Sequence, residues 1–590
     1  MNKKVVNWFL WIYLILSGLV FIFLLPPFQK YDETPHFTRA VALSQGQFFC
    51  KNNQLTVPLD LGELHQQFNF QKVLLDNEKF PINTIDISKV RSSYKNVSEQ
   101  VGGCNLNFLG YIPNTIGVIL GVATDRPILI FYFGRIFGFI FFLILFILSL
   151  KIINPKFKYL LWFYALTPLV VHQVTAFSYD VVIFSLIPVL FALFVNLLQN
   201  KKLSLFSWVA VWSIITVIGL IKIVYYPLIL LFLLTDFYNL ETVKAKAVYI
   251  LKSIVLLSLT AVIVFGVTRL GTAVSTYTPY VNPTIQKKLI LKDPIYFLSA
   301  LKNTIVSNWF DDYKSTVAVY GWKNSFPSTD LVYYLYFLGI VWVIQKTSKN
   351  LSPKFNPLLS VFRLLIIIGI IFSIYLAMYL TWSVVGESTV KGVQGRYYLP
   401  FLPFILIILS ELWLYLKNKY ILRNIFLALI LALTLFTSAM GLYLKYFDYS
   451  KNYTNFKTLD LTISKITKKD KLNWQLIDKN TTFIVSTAGN MISGFKINFD
   501  NRGKAILIPY KFKVMDSTCQ KTLRSGYLRQ YDLQADNIYL ENFATISVVG
   551  NKLCLELTPY TFDLSGYTNS FVSVKTLKSQ PLLDWLAVSQ

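Results

Sequence analysis

The sequence predicts a membrane all-α protein of about eleven transmembrane helices, followed by a C-terminal extracytoplasmic β-rich domain of sandwich type. Three observations predict it. Of the 590 residues, 54% are hydrophobic and only 15% charged, with a mean hydropathy of +0.51; soluble domains run nearer a quarter charged. Apolar runs close to the roughly 20 residues that cross a bilayer recur through residues 1–445. From residue 446 to 590 the pattern changes to short alternating runs separated by Gly, Asn and Asp.

The first run, Trp8 to Leu25, follows Lys3 and Lys4, lacks a small-residue cleavage site and runs into Pro26-Pro27. It reads as an uncleaved span, not a signal peptide. Spans are expected at about 7–27, 128–150, 159–175, 180–198, 205–221, 223–236, 248–268, 330–345, 361–380, 398–416 and 422–443. The segment Phe108 to Val122 is interrupted by Pro113, Gly117 and Gly121 and reads as re-entrant or interfacial. With the N-terminus cytoplasmic, short inner loops collect Lys151, Lys156, Lys158, Lys201, Lys202, Lys244, Lys246, Lys252, Lys346, Lys349, Lys354, Lys417, Lys419 and Arg423. The opposite short loops hold only Lys222, Lys391 and Arg396. A multi-pass protein of the cell membrane follows, with its C-terminus extracytoplasmic.

Three substantial regions then face outward: 28–107, 269–329 and the tail, whose runs Thr482–Ser486, Lys504–Val514 and Ala544–Val549 read as strands. All four cysteines lie in them, and pairing within each region joins Cys50 to Cys104 and Cys519 to Cys554. Neither pair resembles a zinc site, and only three histidines exist. The formal charge of +26 would suggest nucleic acid in a soluble chain. Here the basic residues alternate with apolar runs and no stacking motif accompanies them, so the partner they indicate is the lipid bilayer, with no nucleic acid.

The chemistry-bearing residues cluster where spans meet the outer face. Pro26 to Arg39 brings Asp32, Glu33, His36 and Arg39 to the end of the first span. A bland alternative is a capped loop entry, with Asp32 or Thr34 capping a helix that starts near Pro35. Lys222 sits between two apolar runs, where a charge at membrane depth costs about 2.5–3.5 kcal/mol. His172 and Asp180 flank a short turn, His172 more in keeping with a structural role. Arg396 and Tyr397 follow Gly392 and Gly395, two glycines that permit close backbone approach, and Arg offers a forked donor to phosphate. Arg135, inside the second span, needs a buried partner or an anionic ligand. Carboxylates and cations together suit displacement at an anomeric carbon with lipid phosphate leaving: a carboxylate takes the acceptor proton, and Lys and Arg stabilise the departing charge.

These residues carry a resemblance. Asp32-Glu33 with His36 and Arg39 after the first span is similar to the first-loop acidic motif of the GT-C superfamily of integral-membrane glycosyltransferases. Ser178-Tyr179-Asp180, Lys222, Tyr320-Gly321-Trp322 and Gly392-Val393-Gln394-Gly395-Arg396-Tyr397 accompany it in order over about residues 1–445. The resemblance implies a GT-C-like catalytic domain, a polyprenyl-phosphate-linked sugar donor, inverting transfer and a polysaccharide or glycolipid acceptor outside the cytoplasm. It implies Asp32 as base, with Glu33 orienting the acceptor, binding a metal or holding a cation such as Arg39. The expected substrate-binding set is His36, Arg39, Arg135, His172, Asp180, Lys222, Arg396 and Tyr397. Some members use a divalent metal and others do not, and the metal-binding residues stay unassigned. A ligase or polymerase that moves a whole glycan, or a transporter of a lipid-linked saccharide, is the alternative.

Overall fold

The computed structural model describes residues 3–49, 55–58, 61, 64, 68, 98–101, 107–124, 126–199, 202–271, 281–322, 325–351, 357–413, 424–447, 481–486, 491–500, 510–528, 533–534, 538–547, 552–559 and 580–587. Cys50 and Cys104, and with them the expected pairing of the two, lie outside these residues, as do most of residues 50–106.

Helix α1 (Lys3–Phe23) ends ahead of Pro26-Pro27, whose rings remove two backbone donors and disfavour helix in the residue before them. Helix α2 (Glu33–Ser44) follows, and a 3-10 turn at Phe108–Tyr111 leads into α3 (Ile112–Val122). At 11 residues, α3 is about 17 Å long and too short to cross a bilayer. It packs antiparallel against α4 (Pro127–Ile152): a Cβ on Gly117 would overlap the backbone of Phe133 and Gly134, and one on Gly121 the backbone of Ile130.

The expected span at 159–175 takes a different form. It is two short helices, α5 (Lys158–Ala165) and α6 (Pro168–Val174), broken at Thr167, which is extended ahead of Pro168. Every residue from Leu160 to Val174 is buried. Irregular backbone at membrane depth is tolerated where protein covers it.

Helix α7 (Asp180–Leu198) is the centre of the bundle, with 83% of its apolar window buried; α10 (Val243–Gly271), at 17%, is a peripheral helix. Between them, α8 (Leu205–Ile221) stops at Lys222, and a 3-10 segment, Ile223–Leu228, leads to α9 (Ile229–Tyr238). There follow α11 (Pro283–Lys292), α12 (Pro294–Ala318), α13 (Leu331–Ser348), α14 (Pro357–Thr381), α15 (Leu402–Trp413) and α16 (Asn424–Tyr446). Among the described residues, six helices are long and apolar enough to cross a membrane: 127–152, 180–198, 243–266, 331–348, 357–381 and 395–413. Shorter apolar helices lie at 7–23, 108–122, 205–221, 223–238 and 430–446.

One ion pair inside this bundle has no sequence forewarning. Arg363 of α14 donates to Glu411 of α15 at 3.2 Å and to the Thr235 hydroxyl of α9 at 3.1 Å, while the Ser360 hydroxyl also donates to Glu411. The network ties three helices at a depth where an unpaired charge would be costly.

The tail is antiparallel β-structure. Strands β1 (Leu55–Pro58) and β2 (Ser98–Val101) form a small hairpin-like pair earlier in the chain. The tail strands are β3 (Thr481–Ser486), β4 (Met491–Asp500), β5 (Tyr510–Met515), β6 (Thr522–Leu528), β7 (Leu533–Gln534), β8 (Ile538–Ser547), β9 (Lys552–Pro559) and β10 (Gln580–Ala587). They pair in two four-stranded sheets, in the orders β10-β4-β8-β7 and β3-β9-β5-β6. Cys519, in the turn between β5 and β6, is disulfide-bonded to Cys554 of β9, with Cα atoms 5.3 Å apart.

Candidate functional site

The turn between α1 and α2 is the foundation of the site. Asp32 stands at the helix N-cap position, but its side chain makes no capping bond and its backbone is left-handed (φ 54°). The helix starts at Glu33, one turn-fraction earlier than the Pro35 start that capping would suggest. A non-glycine residue in that region costs of order 1–3 kcal/mol and persists where its surroundings impose it. Asp tolerates it better than most. The carboxylate instead reaches across the bundle to Arg396, with Oδ2 3.3 Å from Nη2.

Arg396 is buried, in a 3-10 turn (Gly395–Tyr397) ahead of α15. Gly395 is required there: a Cβ would overlap the backbone of Ser315 and Thr316 at the end of α12. Gly392 is required for a second reason, a backbone φ of +82°. The Arg396 Nε lies 3.6 Å from Asp180 Oδ2, at the first turn of α7. The other Asp180 oxygen accepts from Lys222 Nζ at 2.8 Å. The result is a chain of alternating charge, Asp32–Arg396–Asp180–Lys222, drawn from four segments remote in sequence. Aromatic rings enclose it: Lys222 Nζ sits 4.6 Å from the Tyr179 ring centroid and 4.5 Å from Tyr397, and the Arg396 guanidinium lies 5.5 Å from Tyr31. Tyr31 in turn lies 4.8 Å from Trp322, centroid to centroid.

Three polar atoms at this place are buried with no hydrogen-bond partner among the described residues: Asp180 Oδ2, Arg396 Nε and His36 Nε2. Two of them, Asp180 Oδ2 and Arg396 Nε, face each other as the 3.6 Å ion pair; His36 Nε2 has no such partner among the described residues, and a buried polar atom of that kind marks a position for a ligand or water. The other ring nitrogen of His36 is 2.6 Å from the Tyr111 hydroxyl, and its ring stands edge-on to Tyr179. Burial pushes the His36 imidazole down to about 3, so it is neutral at physiological pH and presents Nε2 as an acceptor or donor according to tautomer. Asp32 is the most exposed of the four charged members, 43% at its side chain against 15% for Lys222. Burial of its surroundings raises its carboxyl above the ordinary value, outweighing the opposing pull of Arg396.

The remaining sequence candidates serve the scaffold. Glu33 is fully buried and forms a forked pair with Arg135, Nε to Oε1 at 2.9 Å and Nη2 to Oε2 at 2.6 Å. Its oxygens also accept from the backbone N–H groups of Phe28 and Phe177. Its partner is Arg135, not Arg39, and no lone pair is directed at an acceptor. Arg135 spends its other donors on the carbonyls of Ile22, Leu25 and Pro26. Arg39 donates to the carbonyls of Gln47 and Phe48, closing the loop after α2. His172 accepts from the Gly321 N–H at 3.4 Å, contacts Gln173, and packs edge-on against Phe21. Its ring nitrogens are engaged away from the charged chain.

Sequence reasoning missed Lys30, which is buried and donates to the Thr175 hydroxyl at 2.8 Å and to the His172 carbonyl. A lysine so close to two prolines reads as a loop residue unless the acceptors, more than 140 positions away, are known. Tyr31, Tyr179 and Trp322 were likewise visible only as aromatic motif neighbours, and Tyr111 lies in no motif at all. Among the described residues no three His, Cys, Asp or Glu side chains converge as a metal-ligand set. Lys222 and Arg396 occupy the positive positions beside Asp180.

Six apolar helices long enough to cross a membrane, with a charged, aromatic-walled cluster at one end of the bundle, define a polytopic membrane protein. The chain belongs to the DUF2142 family of predicted membrane proteins, whose model matches residues 15–405. That match includes all the site residues and stops short of the β-rich tail. No curated protein and no solved structure matches the chain.

Proposed function

We propose that this protein is a GT-C-like glycosyltransferase that moves a sugar from a polyprenyl-phosphate donor to a cell-surface polysaccharide or glycolipid, on the extracytoplasmic face and with inversion. The observation that carries the reading is Asp32: a half-exposed carboxylate in a strained backbone, unused as a helix cap and held beside Arg396. In the reaction the acceptor hydroxyl oxygen attacks the anomeric carbon as the bond from that carbon to the phosphate oxygen breaks. Asp32 takes the hydroxyl proton, and the electron pair leaves with polyprenyl phosphate. Arg396 and Lys222 face the developing phosphate charge. A phosphate oxygen would meet the Arg396 guanidinium, whose Nε makes an ion pair with Asp180 but no hydrogen bond, and His36 Nε2 offers a neutral contact to a sugar or acceptor hydroxyl. A raised pKa suits Asp32 as a base, since Brønsted efficiency is greatest for groups titrating nearer the working pH.

Purified protein supplied with a polyprenyl-phosphate sugar and acceptor tests the reading. Asp32→Asn should lower turnover by about 10²–10⁴ without loss of folded protein. Lys222→Ala should weaken donor use. Near-normal turnover by both variants sinks the assignment. A deletion strain separates transfer from the ligase or polymerase alternative: loss of one side-chain sugar with its lipid-linked donor accumulating supports transfer, and accumulation of complete lipid-linked glycan supports the alternative.

A further inference from the structure

Helix α12 is 25 residues long but carries Lys302, Asp311, Asp312 and Lys314, and it is not among the helices apolar enough to span. Its packing shows its direction. Phe297 packs on Phe372 and Tyr379 of α14, while Asp312, fifteen residues later, accepts from the hydroxyl of Tyr375 on the same stretch of α14. Fifteen residues of helix extend about 22 Å. Two helices running side by side would meet at residues equally far apart on both, so α12 crosses the outgoing end of α14.

Its faces differ in chemistry. Phe297, Ala300 and Thr304 are buried against the protein. Asn303 and Ser307 are exposed on one flank. On the other, Ile295, Leu298, Ile305, Val306 and Trp309 are exposed, Ile295 at 70% and Val306 at 68%. These positions recur at helical spacing and form one stripe, with exposed Lys302 within it and Lys287, Lys288 and Lys292 on α11 at its start. Phe297, on the buried face of the same helix, packs on Phe372 of α14, a helix long and apolar enough to cross a membrane that exposes Leu365, Ile368 and Phe372.

We propose that α12 is an interfacial helix whose apolar stripe is covered by bilayer lipid, with its basic rim at the headgroups. The packing of α12 on a helix that itself exposes a long apolar surface, together with the flanking lysines, names the occupant: lipid acyl chains bordered by acidic or zwitterionic headgroups. Because α12 ends against Gly395, it joins the membrane surface directly to the turn that carries Arg396.

The test is site-directed spin labelling of the full chain in phospholipid vesicles. Ile295→Cys, Val306→Cys and Ser307→Cys are labelled separately, and the signal of the parent chain treated identically is subtracted. Labels at 295 and 306 should collide several-fold more with oxygen than with a water-soluble nickel chelate, and the label at 307 should show the reverse. All three positions are exposed, so the variants should retain the fold, and the polarity of the 307 label verifies the helix. Nickel accessibility along the stripe equal to that at 307 overturns the proposal. So does protection of the stripe from both reagents, which would mean a protein partner or a second copy of the chain.

Discussion

Adjacent side chains divide two tasks at the entry to α2. Asp32, left-handed ahead of the helix, is turned to Arg396, and Glu33, the first helical residue, is turned into the bundle against Arg135. Their variants should therefore fail differently. Glu33→Gln leaves Arg135 buried without its counter-charge, and breaking a buried pair in this way costs about 3–5 kcal/mol. Thermal unfolding in detergent should show a clear loss for Glu33→Gln and little change for Asp32→Asn; equal stability of both would contradict the clamp. The pH profile is a separate signature. A base must be deprotonated to act, and burial holds the Asp32 pKa above the ordinary carboxylate value. Turnover should fall as pH drops through that raised value, giving an acid limb higher than an unperturbed Asp would give, and the residual activity of Asp32→Asn should lack the limb. A limb at the ordinary carboxylate position in the parent would remove the argument from burial.

Among the elements, the turn at 395–397 is the most constrained. Its contact with Ser315 and Thr316 is backbone on backbone, so neither partner can rotate away from an added methyl. Gly395→Ala should cost about 1–3 kcal/mol and shift Arg396 from Asp32 and Asp180, raising the KM for donor more than a distant destabilising change of equal size. An unchanged KM would show that the turn tolerates displacement. In the tail, the bond between Cys519 and Cys554 closes 35 residues of chain. Cys554→Ser should lower the stability of the sheet β3-β9-β5-β6 by about 2–4 kcal/mol, read by denaturant unfolding of the full chain. Which elements were legible follows from their physics. Long apolar runs showed α4, α7, α10 and α14 directly. Alternation pointed to strands at 482–486, 504–514 and 544–549, which overlap β3, β5 and β8. The break between α5 and α6 was signalled by Pro168 but masked by unbroken hydrophobicity, because a buried segment has no polar face to mark its turn.

For the whole molecule, four segment ends meet at one end of the bundle: the exit of α1, the start of α7, the exit of α8 and the turn before α15. They alternate in direction as successive crossings require. The charged ends Asp32, Asp180, Lys222 and Arg396 were legible because each interrupts or borders an apolar run. Their mutual pairing was not, since Arg396 and Asp32 are 364 positions apart and nothing local fixes the match. The same limit hid Arg363 and Glu411, which read as ordinary helix residues until α14 and α15 are laid side by side. By the positive-inside rule, the clustering of lysines in alternate loops leads to the expectation that the site end lies outside the cytoplasm. A reporter fused after residue 447 should accordingly give an extracytoplasmic signal, and a cytoplasmic one would move every site residue to the other face.

The Glu33–Arg135 clamp also bears on how the chain enters the membrane. Arg135 leaves the ribosome 102 residues after Glu33, on a helix that must carry a guanidinium into the bilayer at a cost of about 2.5–3.5 kcal/mol. What receives it is already there: a carboxylate and three carbonyls at the exit of α1, made and inserted first. The order of synthesis thus supplies the counter-charge before the charge. The first helix acts as a fixed template for α4, and severing it near Pro26 would take away the acceptors on which the later helix depends.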